Sequence, residues 1–206
     1  MSENNRCMGN KGQQVLTAVL LTVVILSVSS GAYVWGKEML AKSRDQRHFK
    51  NMERSIRDLN ENIKEVARRG GRKEMQIDLP DDGELNINDA GPAGLDNITL
   101  DFPVKGQKMA LDDEVAIKGT MGSEAPITTE PDVITAYSTG TGDLYNIRFK
   151  IYYKNMTVEG EPSNRIGIEP TGRMTASGET TSITVEDGPT EEHNGLVVNK
   201  VKVRIS

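Results

Sequence analysis

The chain has 206 residues, with 30 acidic and 25 basic side chains and a formal net charge of -5. An acidic excess argues against a nucleic-acid partner, whose binding rests on neutralising phosphates. The single cysteine, Cys7, excludes an internal disulfide and a cysteine-based metal site.

The charge is segmental. Residues 1–12 carry Arg6 and Lys11 against Glu3, and residues 13–36 carry no charge. Residues 37–73 carry 12 basic and 6 acidic side chains, and residues 74–206 carry 11 basic and 23 acidic ones. A neutral segment, a basic segment and an acidic segment follow one another, which divides the chain more clearly than its average does.

The first element is the run from Val15 to Trp35, 21 residues dominated by Leu, Val and Ile. As a helix rising about 1.5 Å per residue it spans about 31 Å, the thickness of a bilayer's hydrocarbon core. Tyr33 and Trp35 close it, where amphipathic rings suit the headgroup zone. Two alternatives stay open. Val15 to Val28 can serve as the apolar region of a removable secretory signal, with Ser27, Ser29, Ser30, Gly31 and Ala32 as small residues around a cut. A buried helix of a soluble protein is the other. Charge does not settle orientation, because Lys37, Lys42, Arg44 and Arg47 after the run outnumber Arg6 and Lys11 before it.

Lys11-Gly12-Gln13, immediately ahead of this run, resembles the class III (prepilin-type) signal peptide of archaeal type IV pilin-like proteins. The resemblance implies that a prepilin peptidase cuts after Gly12 on the cytoplasmic side. Residues 1–12 would be a leader, and Gln13 the first residue of a mature chain that keeps its apolar helix. It also implies packing of that helix, for which Ser27, Ser30 and Gly31 would permit close approach. Bacterial members carry Glu at the fifth mature residue, where this chain has Thr17.

Residues 37–71 form the second element. Phe49, Met52, Ile56, Leu59, Ile63 and Val66 recur at spacings of three and four, the apolar stripe of an amphipathic helix. Gly70-Gly71 stops it. Joined to the apolar run, it would make a helix of about 55 residues, roughly 80 Å. The stripe is expected to dock on the rest of the same chain or to pack within a filament, with a short coiled coil as the rival. The positive charges are expected to form a solvated face.

From Glu74 the period changes to two. MQIDLP, ELNIN, LDNITLDF, EVAIKG, DVITAYS, LYNIRFKIYYK, SITVED and LVVNKVKVRIS read as strands. Asp82-Gly83, Gly91-Pro92, Gly140-Thr141-Gly142, Gly160-Glu161-Pro162 and Asp187-Gly188-Pro189 read as the turns between them. Eight strands at this spacing predict an α+β chain: a long N-terminal helix, membrane-spanning then amphipathic, followed by an antiparallel β-sandwich head over 72–206.

No nucleophile motif, phosphate loop or dinucleotide fingerprint occurs, so neither an enzyme, a cofactor nor a small-molecule substrate is expected. His48 and His193 have no partners at metal-ligand spacing. The acidic turns at 78–83 and 86–89 lack EF-hand spacing and read as turns rather than calcium loops. Asn97-Ile98-Thr99 and Asn155-Met156-Thr157 are candidate N-glycosylation sequons at Asn97 and Asn155. The functional expectation is a structural subunit, major or minor, of an archaeal type IV pilus-like surface filament. The chain would be single-pass in the cell membrane with its N-terminus inside and its β part outside. Its partners would be the membrane, the prepilin peptidase and like subunits. The alternative is an unassembled, membrane-anchored extracellular binding or adhesion protein.

Overall fold

The computed structural model describes residues 6–89, 95–105, 113–141, 144–193 and 195–206. One helix, α1 (Arg6–Arg69), is followed by twelve strands. These are β1 (Arg72–Asp78), β2 (Glu84–Asn88), β3 (Asn97–Lys105), β4 (Val115–Lys118), β5 (Glu124–Pro126) and β6 (Asp132–Thr141). The rest are β7 (Leu144–Tyr153), β8 (Asn155–Val158), β9 (Glu161–Pro170), β10 (Thr175–Ser177), β11 (Thr180–His193) and β12 (Leu196–Ile205). The chain divides after Arg44 into an N-terminal helical unit and a second unit, Asp45–Ser206. The fold class is α+β.

Helix α1 ends where the paired glycines dictate. Gly70 takes φ 70°, and its N–H donates to the Val66 carbonyl at 2.8 Å. A residue without Cβ adopts that left-handed turn at no steric cost.

The second unit holds two six-stranded sheets. Sheet 1 has the order β1-β11-β12-β9-β8-β5, and sheet 2 the order β10-β2-β3-β7-β6-β4. All eight expected strands are present. The alternation along β7 places Ile147, Phe149, Ile151 and Tyr153 inward, and that along β12 does the same for Val201, Val203 and Ile205.

Three expectations about the sheets are corrected. Twelve strands rather than eight stand among the described residues, because β5, β8 and β10 are only three or four residues long and β9 carries Pro162, Gly167 and Pro170. Sheet 1 is mixed, not antiparallel: β12 runs parallel to β9, and β5 parallel to β8. Each parallel pair arises because the chain passes through sheet 2 before returning, by β6 and β7 in one case and by β10 in the other. A parallel neighbour requires such a crossover. Asp187-Gly188-Pro189 is not a turn but lies within β11, where a register shift between Asp187 and Thr190 absorbs the proline.

One cluster of buried side chains unites the helix with both sheets. It contains Met52, Ile56, Leu59, Ile63 and Val66 of α1, Ile183, Val185 and Val203 of sheet 1, and Leu100, Phe102, Phe149 and Ile151 of sheet 2. The helical stripe is therefore part of the core of the Asp45–Ser206 unit. All three phenylalanines of the chain meet there. The ring centroids of Phe49 and Phe149 are 5.5 Å apart and those of Phe102 and Phe149 5.7 Å, in tilted arrangements that favour ring edges against faces.

Candidate functional site

Two features of α1 carry functional information, one in each unit. In the first unit, Gln14–Lys37 is 24 residues long with mean hydropathy 2.2, and none of its most apolar window is buried. It is one N-terminal helix long and apolar enough to cross a membrane. Two of its hydroxyls are satisfied internally: Thr22 donates to the Ala18 carbonyl and Ser27 to the Val23 carbonyl, each at 2.8 Å. Such bonds let a hydroxyl sit in lipid without an orphan donor. Ser27, Ser30 and Gly31 are exposed, and their spacing puts them on one helical face. A Cβ added at Gly31 would meet nothing within 4 Å. Tyr33 and Trp35 are also exposed. The backbone of Lys11, Gly12 and Gln13 falls within α1, while their side chains and residues 1–5 lie outside the described residues.

In the second unit, α1 contributes two polar groups beside its apolar stripe. Asn60 and Lys64, one turn apart, are both buried, and so is Asp132 at the start of β6. Asn60 donates through Nδ2 to Asp132 Oδ2 at 2.7 Å and accepts the Tyr153 hydroxyl at 2.9 Å. Lys64 Nζ lies 3.2 Å from Asp132 Oδ1 and 3.0 Å from Glu130. Lys118, at the end of β4, reaches Asp132 Oδ2 at 2.8 Å and Glu61 at 2.7 Å. Helix, β4, β6 and β7 are thus tied by one connected network. Gly119, at φ 75°, lets the chain after β4 approach it, since a Cβ there would stand 2.5 Å from the Asp132 carbonyl oxygen.

The electrostatics follow from the geometry. Burial alone would raise the Asp132 carboxyl, but hydrogen bonds from Lys118 and Asn60 and the nearby Lys64 charge outweigh it and hold the pKa at about 2. Burial would lower the Lys118 ammonium, yet its hydrogen bonds to Asp132 and Glu61 raise it above the ordinary lysine value. Burial pushes the Tyr153 phenol up, with Asp132 and Glu61 adding to the effect. Asp132 and Lys118 are thus held in their charged forms and the Tyr153 phenol in its neutral one. Groups so fixed suit a structural lock rather than proton transfer.

The network was not legible as a site. Lys64, expected on a solvated positive face, is instead buried, because it has three carboxylates within 4 Å to replace its water. The available signal was position: Asn60 and Lys64 adjoin Leu59 and Ile63 and share their side of the helix.

Among the other residues read from the sequence, Asn97 begins β3 and is half-buried, accepting from Asn88 at 3.1 Å. Asn155 begins β8 and is also half-buried. His48 is half-buried on α1, and the side chain of His193 lies outside the described residues. Among the described residues, no group of three or more His, Cys, Asp or Glu is arranged to hold a metal ion. Family models, curated proteins and solved structures yield no match to this chain.

Proposed function

We propose that this chain is a pilin-like structural subunit of a type IV surface filament, cut by a prepilin peptidase after Gly12 and anchored in the membrane before assembly. The observation that carries the reading is the boundary at residue 13: Lys11-Gly12-Gln13 abuts an apolar helix whose most apolar window has no buried residue. A cut upstream of that helix leaves it on the mature chain. It then serves as a membrane anchor with its N-terminus inside, and later as a packing surface among subunits. Burying several of its Val, Leu and Ile side chains against neighbours contributes on the order of 10 kcal/mol per subunit. The β unit is then exported as a sandwich-like head, with residues 45–69 of α1 built into its core.

A second reading, an unassembled surface-anchored binding protein, draws on Thr17. Filament subunits that register through Glu at that place have a charge this chain lacks. Replacing Gly12 with Leu distinguishes processing from plain anchoring. The pilin reading expects a slower-migrating, uncut precursor and loss of the chain from sheared surface fibres. Unchanged mobility and unchanged presence in the sheared fraction would remove the reading.

A further inference from the structure

The outer face of sheet 2 holds a recess that neither the membrane helix nor the helix lock uses. Its floor is set by strand register. Asn86 of β2 pairs with Thr99 of β3, Thr99 with Lys150 of β7, and Lys150 with Thr135 of β6. A parallel row runs Asp101, Arg148, Tyr137. Because Leu100, Phe102, Phe149 and Ile151 point into the core, the residues alternating with them must all point outward. The recess encloses about 540 Å³, within the roughly 300–1,000 Å³ of small-molecule sites.

The lining selects a ligand class by elimination. Among the described residues no aliphatic side chain lines it, which disfavours an apolar ligand. Its charged residues are two carboxylates, Asp101 and Glu114, and two cations, Arg148 and Lys150, so no net charge attracts an ion. The Arg148 guanidinium is already engaged by Asp101 at 2.7 Å, and the Lys150 ammonium stands 5.4 Å above the Tyr152 ring. Strands β3 and β7 are each paired on both sides, so their backbones have no free edge with which to take up an extended peptide. What remains is a set of side-chain amides and hydroxyls, Asn86, Asn88, Asn97, Thr99 and Tyr137, of which Asn88 already donates to Asn97 at 3.1 Å and Asn97 to the Leu95 carbonyl at 3.4 Å, leaving their other donor and acceptor positions for a ligand. Each amide offers donors and an acceptor side by side, and each hydroxyl offers both. A polyhydroxylated ring is the ligand that matches this lining, and the half-buried Tyr137 supplies an aromatic surface for its C–H face.

We propose that this recess binds a neutral saccharide, through Asn86, Asn88, Asn97 and Thr99 with the Asp101–Arg148 pair as a rigid wall. The proposal goes beyond the filament reading and does not rest on it. The saccharide is taken from solution; because Asn97 and Thr99 also belong to a sequon, a glycan attached at Asn97 is the competing occupant that the test separates from it.

The full chain, unglycosylated and held in a detergent without a sugar headgroup, is titrated with cellotetraose, chitotetraose, mannotetraose and a heparin-derived acidic tetrasaccharide by calorimetry. We expect at least one neutral probe to bind at millimolar concentration or below. Replacing both Asn88 and Arg148 with Ala should weaken it about tenfold or more, as expected for losing one or two hydrogen-bonding side chains. Lys200→Ala on sheet 1 should leave it unchanged. If the double variant does not fold, Asn88→Ala alone, at an exposed residue, takes its place with a severalfold loss. The proposal is overturned if no neutral probe binds, if only the acidic one does, or if binding ignores the recess substitutions. It is overturned equally if mass spectrometry finds a glycan on native Asn97 while the unmodified chain binds none of the probes.

Discussion

The Tyr153 phenol donates to Asn60 Oδ1 at 2.9 Å, joining β7 to α1, and both side chains are buried. Asn60 passes the connection on to Asp132 through its amide nitrogen. Removing the phenolic oxygen leaves a buried carbonyl oxygen without its donor. Tyr153→Phe should therefore destabilise the Asp45–Ser206 unit by about 1–3 kcal/mol in urea unfolding. A change near zero would mean that water replaces the donor and that the bond is not enclosed.

Asp132 tests the lock more severely. Asp132→Ala takes from the buried Lys64 its one buried carboxylate partner among the described residues, leaves it the exposed Glu61 and Glu130, and also removes a partner of Lys118 and Asn60, so it should cost about 3 kcal/mol or more. Exposed pairs such as Arg173–Glu179 give the contrast, since Arg173→Ala should change stability by under about 1 kcal/mol.

The pH dependence has a definite sign at each end. The folded pKa of Asp132, at about 2, lies below its ordinary value of 3.8, so its contribution is present above pH 3.8 and is lost as pH falls toward 2. Tyr153 and Lys118 are raised above their ordinary values of 10.0 and 10.5. Their contributions are complete below those values and are lost as pH rises past them. Unfolding midpoints should thus stay flat from about pH 5 to 9 and fall on both sides. In Asp132→Asn the acid limb should shrink. An acid limb identical to that of the parent would assign it to other carboxylates.

The helical stripe gives a prediction about truncation. A chain starting at Asp45 retains Met52, Ile56, Leu59, Ile63 and Val66 and should unfold cooperatively, whereas one starting at Arg72 lacks them and should not. Leu59→Ala should cost about 2–5 kcal/mol, while Leu21→Ala, at an exposed residue of the first unit, should leave head unfolding unchanged. Circular dichroism melts of the four chains check this. A stable chain from Arg72 would show that the sheets close over one another without the helix.

Gly119→Ala adds a Cβ at a positive φ and against the Asp132 carbonyl. A cost of about 1–3 kcal/mol is expected, read as a lower melting temperature.

How far the sequence reached depends on the kind of interaction. The stripe from Phe49 to Val66 and the alternation along β7 and β12 were legible because one face of each element is buried against a shared core, which leaves a period in the residues. Strand β9 was not, since its prolines and glycine read as punctuation and its place between β12 and β8 is decided by distant partners. Asp187-Gly188-Pro189 misled for a related reason: turn residues inside a strand form a bulge when the flanking residues on both sides still pair with β12. Asn60 and Lys64 stayed hidden because a buried polar residue looks the same in sequence as a solvated one. Its partners, Asp132 and Tyr153, are 72 and 93 residues from Asn60.

Sequencing the N-terminus of the chain isolated from its native cells and their medium tests the central claim most directly. The account predicts that the mature chain begins at Gln13 with the whole segment Gln14–Lys37 retained. A chain beginning beyond Ser30, stripped of its apolar helix, would contradict it, and so would one that keeps residues 1–12.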